Sequence, residues 1–468
     1  MLRPFSFVAV LFFLCFTACR DDETFHNDPS SPLNIKADTL YFDTVFTQVS
    51  IGNPKSVNKQ FVVVNPYNKR IKTQIELAGG EQSNYRINVD GQAGVSFGDI
   101  EILPKDSVFV FVEMYAPKIG QNLPLIYRDS LLFTTNGSQQ KVQLAAWGQD
   151  ANYFLSDTLK VNTVWTAEKP YVIARYLFVP QGKTLQIKEG VQLHLAPYSW
   201  LFVEGKLEIL GNSNNRVVVQ GDRLQPNYEE TSGQFGGIWL SYPSTENRIE
   251  YATIKNGTVG VFIDSISSNN KESLRIKNCF IRNMSFDGIA SKGGRVAMQN
   301  CLISNFGRFG FLGQLGGAYD LKHNTLANYT SSQGNALVFN NIERDDYGFP
   351  TGNTYDIDFS IQNCILSGYA KDELILDIDP QKQGTAVVNH SLIKADELYD
   401  LFDQKDLNNH VSRLSFFPKF QDISNRDYRL DTLSPAIDAG RNLSPAIEKD
   451  YNDEPRNGMP DAGALEKL

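Results

Sequence analysis

Carboxylates, imidazoles and thiols are the side chains with which this chain could do chemistry, and their spacing limits what that chemistry is. Five histidines are scattered along 468 residues. No His-Glu-x-x-His, Cys-x-x-Cys or calcium-loop pattern occurs, so the sequence offers no metal or cofactor site. His323 and His390 fall inside a recurring phrase, where turn or strand positions are expected of them rather than work as bases. Asp345 and Asp346 stand beside Tyr347 and Phe349, a set that could grip sugars from a solvated loop. Cleavage of a sugar chain asks for more. Hydrolysis needs two carboxylates facing one groove at a defined separation, and elimination needs a base beside a cation. Neither setting can be read here, so binding is expected ahead of catalysis. Cys279, Cys301 and Cys364 each stand two residues before an aliphatic residue. An odd number of cysteines in one shared slot points to buried free thiols, not to a disulfide framework.

That slot belongs to a repeat. Tyr251-Ala-Thr-Ile-Lys-Asn256 returns as Asn278-Cys-Phe-Ile-Arg-Asn283, Asn300-Cys-Leu-Ile-Ser-Asn305 and Asn324-Thr-Leu-Ala-Asn328, with weaker copies at Asn363 and His390. The second Asn recurs at spacings of 27, 22 and 23 residues. A small residue followed by an apolar run interleaves with it, at Gly237, Gly260, Gly288, Gly310 and Ala336. A period of this size marks a solenoid. Its short runs of Ile, Val, Leu and Phe, split by Gly, Asn, Ser and Asp, carry strand chemistry and no helical stripe. A coil of about 22 residues suits three strands around one axis, with coils about 4.8 Å apart. Asn accepts the left-handed backbone of a sharp turn, and its amide can bond the Asn one coil away. A slot that takes Cys, Thr, Ala and Ser is small and expected to face inward.

Over Thr158 to Leu430 the chain resembles the right-handed, single-stranded parallel β-helices of the pectate-lyase-like superfamily. The resemblance implies architecture and not one activity, since lyases, hydrolases, adhesins and spacers share it. Arg275-Ile-Lys277 coincides with a tripeptide of polygalacturonases. Their accompanying Asn-Thr-Asp and Gly-His-Gly are missing, which leaves Arg275 to Lys277 as strand sequence. The longest repeat, from Asn324 to Asn363, carries an insertion at Asn341 to Asp356. Insertions on a solenoid gather on one face and often bind. Gln220 to Gly233 is a second polar loop.

The flanks complete an all-β chain. Arg3 precedes an uncharged apolar run, Pro4 to Phe16, too short to span a bilayer. Phe16-Thr-Ala-Cys19 resembles a bacterial lipobox, with Phe in place of the commoner Leu. The resemblance implies a signal peptide over 1–18 and a lipid on Cys19. Arg20-Asp-Asp-Glu23 is similar to the surface-export signal of Bacteroidetes lipoproteins, and 19–34 reads as an acidic flexible tether. Residues 35–151 alternate apolar and polar, with turns at Asn65-Pro66, Gly79-Gly80 and Asn136-Gly137, as an immunoglobulin-like β-sandwich does. The solenoid is assigned to 152–430. Residues 431–468, with Ser434-Pro-Ala-Ile-Asp-Ala-Gly440 and Asp450-Tyr-Asn-Asp-Glu-Pro-Arg456, resemble the choice-of-anchor Q module. That resemblance implies a cap for the last coil, with Asp438, Asp450, Asp453 and Arg456 as its polar lock. Seven Asp-Ser/Thr-aliphatic triplets, among them Asp38-Thr-Leu, Asp129-Ser-Leu and Asp431-Thr-Leu, resemble Bacteroidetes O-glycosylation acceptors. A net charge of −9 with a pI near 5.2 excludes nucleic acid as partner. These features lead to one expectation: an outer-membrane, lipid-anchored, surface-exposed protein with a binding, adhesion or structural role and a glycan or surface partner. The alternative is a polysaccharide lyase or glycoside hydrolase on the same groove.

Overall fold

A computed structural model describes residues 24–46, 57–115, 125–264, 271–395, 410–412, 418–456 and 458–467. Cys19 and the leader before it lie outside the described residues. The described chain holds strands and three single-turn 3-10 helices. It divides into two compact units, residues 1–150 and 151–468.

The first unit is a β-sandwich of two five-stranded sheets. Ser107–Met114 shows why these segments pair. Val108, Val110, Val112 and Met114 point inward and are buried, while Phe109 and Phe111 stay on the outer face, the period of two that a half-buried strand requires. They pack against Ile71, Ile75, Leu131 and Phe133, from the opposite sheet. The expected strands are present. Four more were not foreseen: Asn34–Ile35, Tyr85–Val89, Gln92–Gly94 and Ser96–Ile102. They are short and separated by turn residues such as Asp90-Gly91, which hid them.

The second unit is a parallel β-helix of three strands per coil. Its first face is a nine-stranded parallel ladder that includes Lys206–Leu210, Asn247–Glu250, Leu274–Lys277, Arg295–Gln299, Gly317–Lys322 and Ile357–Gln362. The second face includes Val217–Gly221, Ala252–Lys255, Phe280–Met284, Leu302–Phe306, Thr325–Asn328 and Ile365–Gly368. The third includes Tyr171–Val179, Trp200–Val203, Gly237–Ser241, Val261–Asp264, Ile289–Lys292, Phe309–Gln314, Asn335–Asn340 and Leu374–Asp377. Alternate residues of the strands on these three faces fill one continuous apolar interior.

Two turn columns make the coils possible. Between the first and second faces, Tyr251, Asn278, Asn300, His323, Asn363 and His390 all have φ between 50° and 54°. Between the second and third, Asn256, Asn283 and Asn305 have φ of 72°, 56° and 55°. Asn305 Nδ2 donates to Asn283 Oδ1 at 3.1 Å, and Asn283 Nδ2 donates to Asn256 Oδ1 at 3.2 Å. The expected amide column is therefore present over three coils. One copy is shifted from the expected register. His323, not Asn324, takes the left-handed turn, and Asn324 moves into the cysteine slot, where its Oδ1 accepts from Cys301 N at 2.8 Å. Asn328 lies outside the left-handed set and instead donates to Phe306 O at 2.9 Å.

The slot holds Ala252, Cys279, Cys301, Asn324, Cys364 and Ser391, all at most 3% exposed. All three thiols are free. Burial pushes the Cys301 thiol well up and that of Cys364 up to about 12, so neither is a thiolate near neutral pH. These thiols are expected to resist alkylation in the native protein and to react promptly in denaturant. Peptide mapping after a maleimide pulse measures this, and rapid native labelling at Cys301 would mean the slot opens.

Candidate functional site

Of the three faces of the solenoid, the second is covered by the chain itself. Its outward residues Leu302 and Ala327 are buried under Tyr428, with Phe420 packed alongside. Ile365 and Leu392 are buried with Leu430, Ala436 and Ala462. From Arg441 the chain runs sideways across the first turn column as a strap. Asn363 Nδ2 donates to Arg441 O at 2.8 Å, Asn300 Nδ2 to Lys449 O at 2.7 Å and Asn278 Nδ2 to Asp450 O at 2.9 Å. Tyr251 then donates its hydroxyl to Asp453 at 2.6 Å. The strap thus travels back toward earlier coils, and Ala464 N returns it to Thr325 Oγ1 at 3.0 Å. Among the described residues its contacts lie along the solenoid's side, whereas a cap on the last coil was expected. The polar lock exists with changed membership. Arg456 pairs with Glu466 at 2.8 Å, and Asp450 accepts from the backbone N–H groups of Asn452, Glu454 and Glu466. Asp438 contributes only its N–H, to Asp461 Oδ1 at 2.8 Å.

A concavity of about 450 Å³ lies where the strap crosses the first face, with Tyr251, Lys277, Lys322, Glu448, Lys449 and Asp453 among its walls. Its charges answer one another. Burial raises the Asp453 carboxyl, but the Tyr251 hydroxyl and the ammonium groups of Lys449 and Lys277 overcome this and hold it below its usual range. Lys322 bonds Asp320 at 2.7 Å. The concavity therefore seats the strap. Other charges of the first face pair in the same way, as in Arg248 with Glu250 and Arg275 with Glu272. Arg275 to Lys277 is strand, as the sequence implied.

A second charged cluster also closes on itself. The polar loop after Gly221 brings Glu230 to Arg282, Arg426 and Asn283. Burial works against the Glu230 carboxylate, yet those donors keep its pKa below the ordinary value. A carboxylate held ionised between two guanidinium groups is a tie, not an acid catalyst. His323 is also structural: it is 1% exposed, its Nε2 lies 2.7 Å from Asn363 Nδ2, and burial holds its pKa well down. Among the described residues no group of three or more metal-ligating side chains converges.

The third face differs from the other two. Phe178, Phe202, Trp239, Phe262, Ala290, Leu312, Val338 and Ile375 occupy one outward position in eight successive coils. Four of these are aromatic and half-buried, three of them packed ring against ring, and Ala290, Leu312 and Val338 are buried. Trp239 lies 5.4 Å from Phe202 and 4.9 Å from Phe262 between ring centroids, and Trp200 stands 5.6 Å from Trp239. Two columns flank this stripe. On one side Gly237, Gly260, Gly288 and Gly310 carry no side chain, and a Cβ at any of them would come within 2.5 Å of a backbone carbonyl of a neighbouring coil. Glu373 closes that column; burial raises its pKa to about 8, while Ala336 N and Ala370 N donate to it. On the other side runs a polar edge of Ser241, Asp264, Lys292, Gln314, Asn340 and Asp377.

The insertion rises beside the far end of this edge as a hairpin, Ile342–Arg344 with Pro350–Thr354. Arg344 bonds Asp377 at 2.8 Å. Asp345 is committed to the turn, since its Oδ1 accepts from Tyr347 N and Phe349 N at 2.9 Å each. Tyr347 and Phe349 stand 87% and 68% exposed. The sequence therefore pointed to the hairpin but not to the stripe. The stripe's signal was the apolar residue two places after each recurring Gly, which looked like core sequence because a strand buried on both faces reads as one apolar run.

No protein-family model matches the chain, and no curated protein matches it. Among solved structures, one similar chain is a family 123 glycoside hydrolase from Clostridium perfringens, described for glycolipid glycan hydrolysis. It is 10% identical, with a TM-score of 0.18, over 25% of this chain and 26% of that one. Another is the catalytic unit of a GH87 α-1,3-glucanase from Streptomyces thermodiastaticus strain HF3-3. It is 9% identical, with a TM-score of 0.22, over 72% of this chain and 88% of that one. Likenesses this distant carry no functional argument, and the reading below rests on the site.

Proposed function

We propose that this protein is a lipid-anchored component of a bacterial cell envelope that displays its solenoid outward and binds an extended glycan along the third face. The observation that supports this is the aromatic stripe. Phe202, Trp239 and Phe262 repeat at coil spacing, half-buried, with hydrogen-bonding groups alongside, while farther along the same position is buried at Ala290, Leu312 and Val338. Aromatic rings offer apolar faces to the C–H faces of sugar rings, while an amide and carboxylate edge meets their hydroxyls.

Binding is favoured over cleavage by distance. The carboxylates on the polar edge, Asp264 and Asp377, are separated by Lys292, Gln314 and Asn340. At about 4.8 Å per coil that puts them roughly 19 Å apart, whereas glycoside hydrolysis uses a pair roughly 5 to 10 Å apart. A glycan array probed with the purified protein, with product release followed on every binder, tests the proposal. Trp239→Ala should remove most of the signal without shifting the melting curve by more than a few degrees. Shortened products from wild-type protein would replace binding with the lyase or hydrolase alternative.

The anchor is tested separately. Cys19→Ala should leave the protein unlabelled by fatty-acid probes and released from membranes on fractionation. Continued labelling of that variant would remove the lipoprotein part of the proposal.

A further inference from the structure

Resting on that reading, we propose that the third face selects a neutral, β-linked, gluco-configured chain and rejects acidic polysaccharides. The argument is the charge inventory of the face. Three carboxylates along it have a cation in place, Asp264 with Lys292 at 3.9 Å, Asp377 with Arg344 at 2.8 Å, and Asp287, near the stripe's other border, with Arg308 at 2.5 Å, while a fourth, Glu373, is fully buried and held by backbone N–H groups. The same pairs account for those cations. Lys292 also lies 5.4 Å from the Phe262 centroid and Arg308 lies 5.0 Å from that of Phe309, so the cations that flank the rings are engaged with them as well.

An acidic chain laid along the stripe would bring a carboxylate near each coil. To gain an ion pair there it must first break an existing one, and it would leave Asp264 or Asp377 facing like charge. A neutral chain meets no such cost. It uses Gln314, Asn340 and the outer lone pairs of the paired carboxylates as hydrogen-bond partners. Ring configuration follows from the stripe. Equatorial hydroxyls leave both faces of a pyranose as C–H surface, and joining such rings through equatorial β-1,4 bonds gives a ribbon extended enough to follow the row of aromatics.

Calorimetric titration of the full chain with a β-linked glucose oligomer and with the glucuronate oligomer of equal length is the test. The glucose oligomer should bind at least about tenfold more tightly, and added salt should leave its affinity unchanged, because no ion pair is exchanged. Trp239→Ala should weaken that binding at least about tenfold, while Lys292→Met should leave the acidic oligomer no better bound. If the glucuronate oligomer binds as tightly as the glucose oligomer and Trp239→Ala abolishes both, the selectivity is overturned and the stripe survives as the site. If neither oligomer binds, or both bind unaffected by Trp239→Ala, selectivity and stripe fall together.

Discussion

Replacing Arg456 by Met is expected to cost about 3–5 kcal/mol and to release the strap from the solenoid. The guanidinium side chain is 2% exposed and its partner Glu466 7% exposed. Its Nη2 also donates to Gly463 O at 3.0 Å and to Asn300 Oδ1 at 3.2 Å, so one side chain ties the strap's two limbs to each other and to the turn column. Burial lowers the Arg456 pKa and raises that of Glu466. Both directions express the cost of holding charge there, and the pair stays ionised because each ion supplies the other's counter-charge at 2.8 Å. Met keeps the volume and removes the charge, which strands Glu466 near Asp461. Urea unfolding gives the loss, and tryptic cleavage at Lys449 reports strap release. Arg456→Met with Glu466→Leu should recover part of the loss, since removing both ions leaves none uncompensated. A single variant as stable and as protease-resistant as the parent would show that the lock does not hold the strap.

Asn305→Val is expected to destabilise the solenoid by about 1–3 kcal/mol, from two separate losses. With φ at 55°, Asn305 occupies a left-handed turn that a β-branched residue enters only under strain. Its Nδ2 bond to Asn283 Oδ1 at 3.1 Å also disappears, and the Tyr428 hydroxyl loses the Oδ1 that it reaches at 3.4 Å. Asn305→Gly removes the same bonds but enters the turn freely, so its loss should be the smaller. Thermal melts of the two variants decide. Equal melting temperatures would mean that the backbone turn contributes nothing beyond the lost bonds.

The repeat was legible because geometry forces it into the sequence. A left-handed turn needs Asn or a near substitute, and a slot 0% exposed at Cys279 and Cys301 needs a small side chain. Both constraints fall at fixed places in each coil. The one-residue shift at His323 was invisible for the same reason: Asn324 is the better turn residue by type, and only the pairing of Leu302 with Thr325 assigns it to the slot. The strap was readable as turn chemistry but not as a path. Three of its solenoid contacts use main-chain carbonyls of Arg441, Lys449 and Asp450, which any sequence supplies. The stripe was hidden for a third reason. Trp239 and Phe262 differ from interior residues only in pointing outward, and parity in a strand of four or five residues is lost when both faces are apolar.

The direction of the strap also sets an order of events for the growing chain. Tyr251 and Asn278 are bonded by Asp453 and Asp450, which are made about 170 to 200 residues later. Coils formed early therefore remain untied along that turn column until the later segment has emerged and doubled back. A chain still lacking its last segment would have its strands without its fastening. Full resistance to unfolding then comes as a late, single step rather than coil by coil.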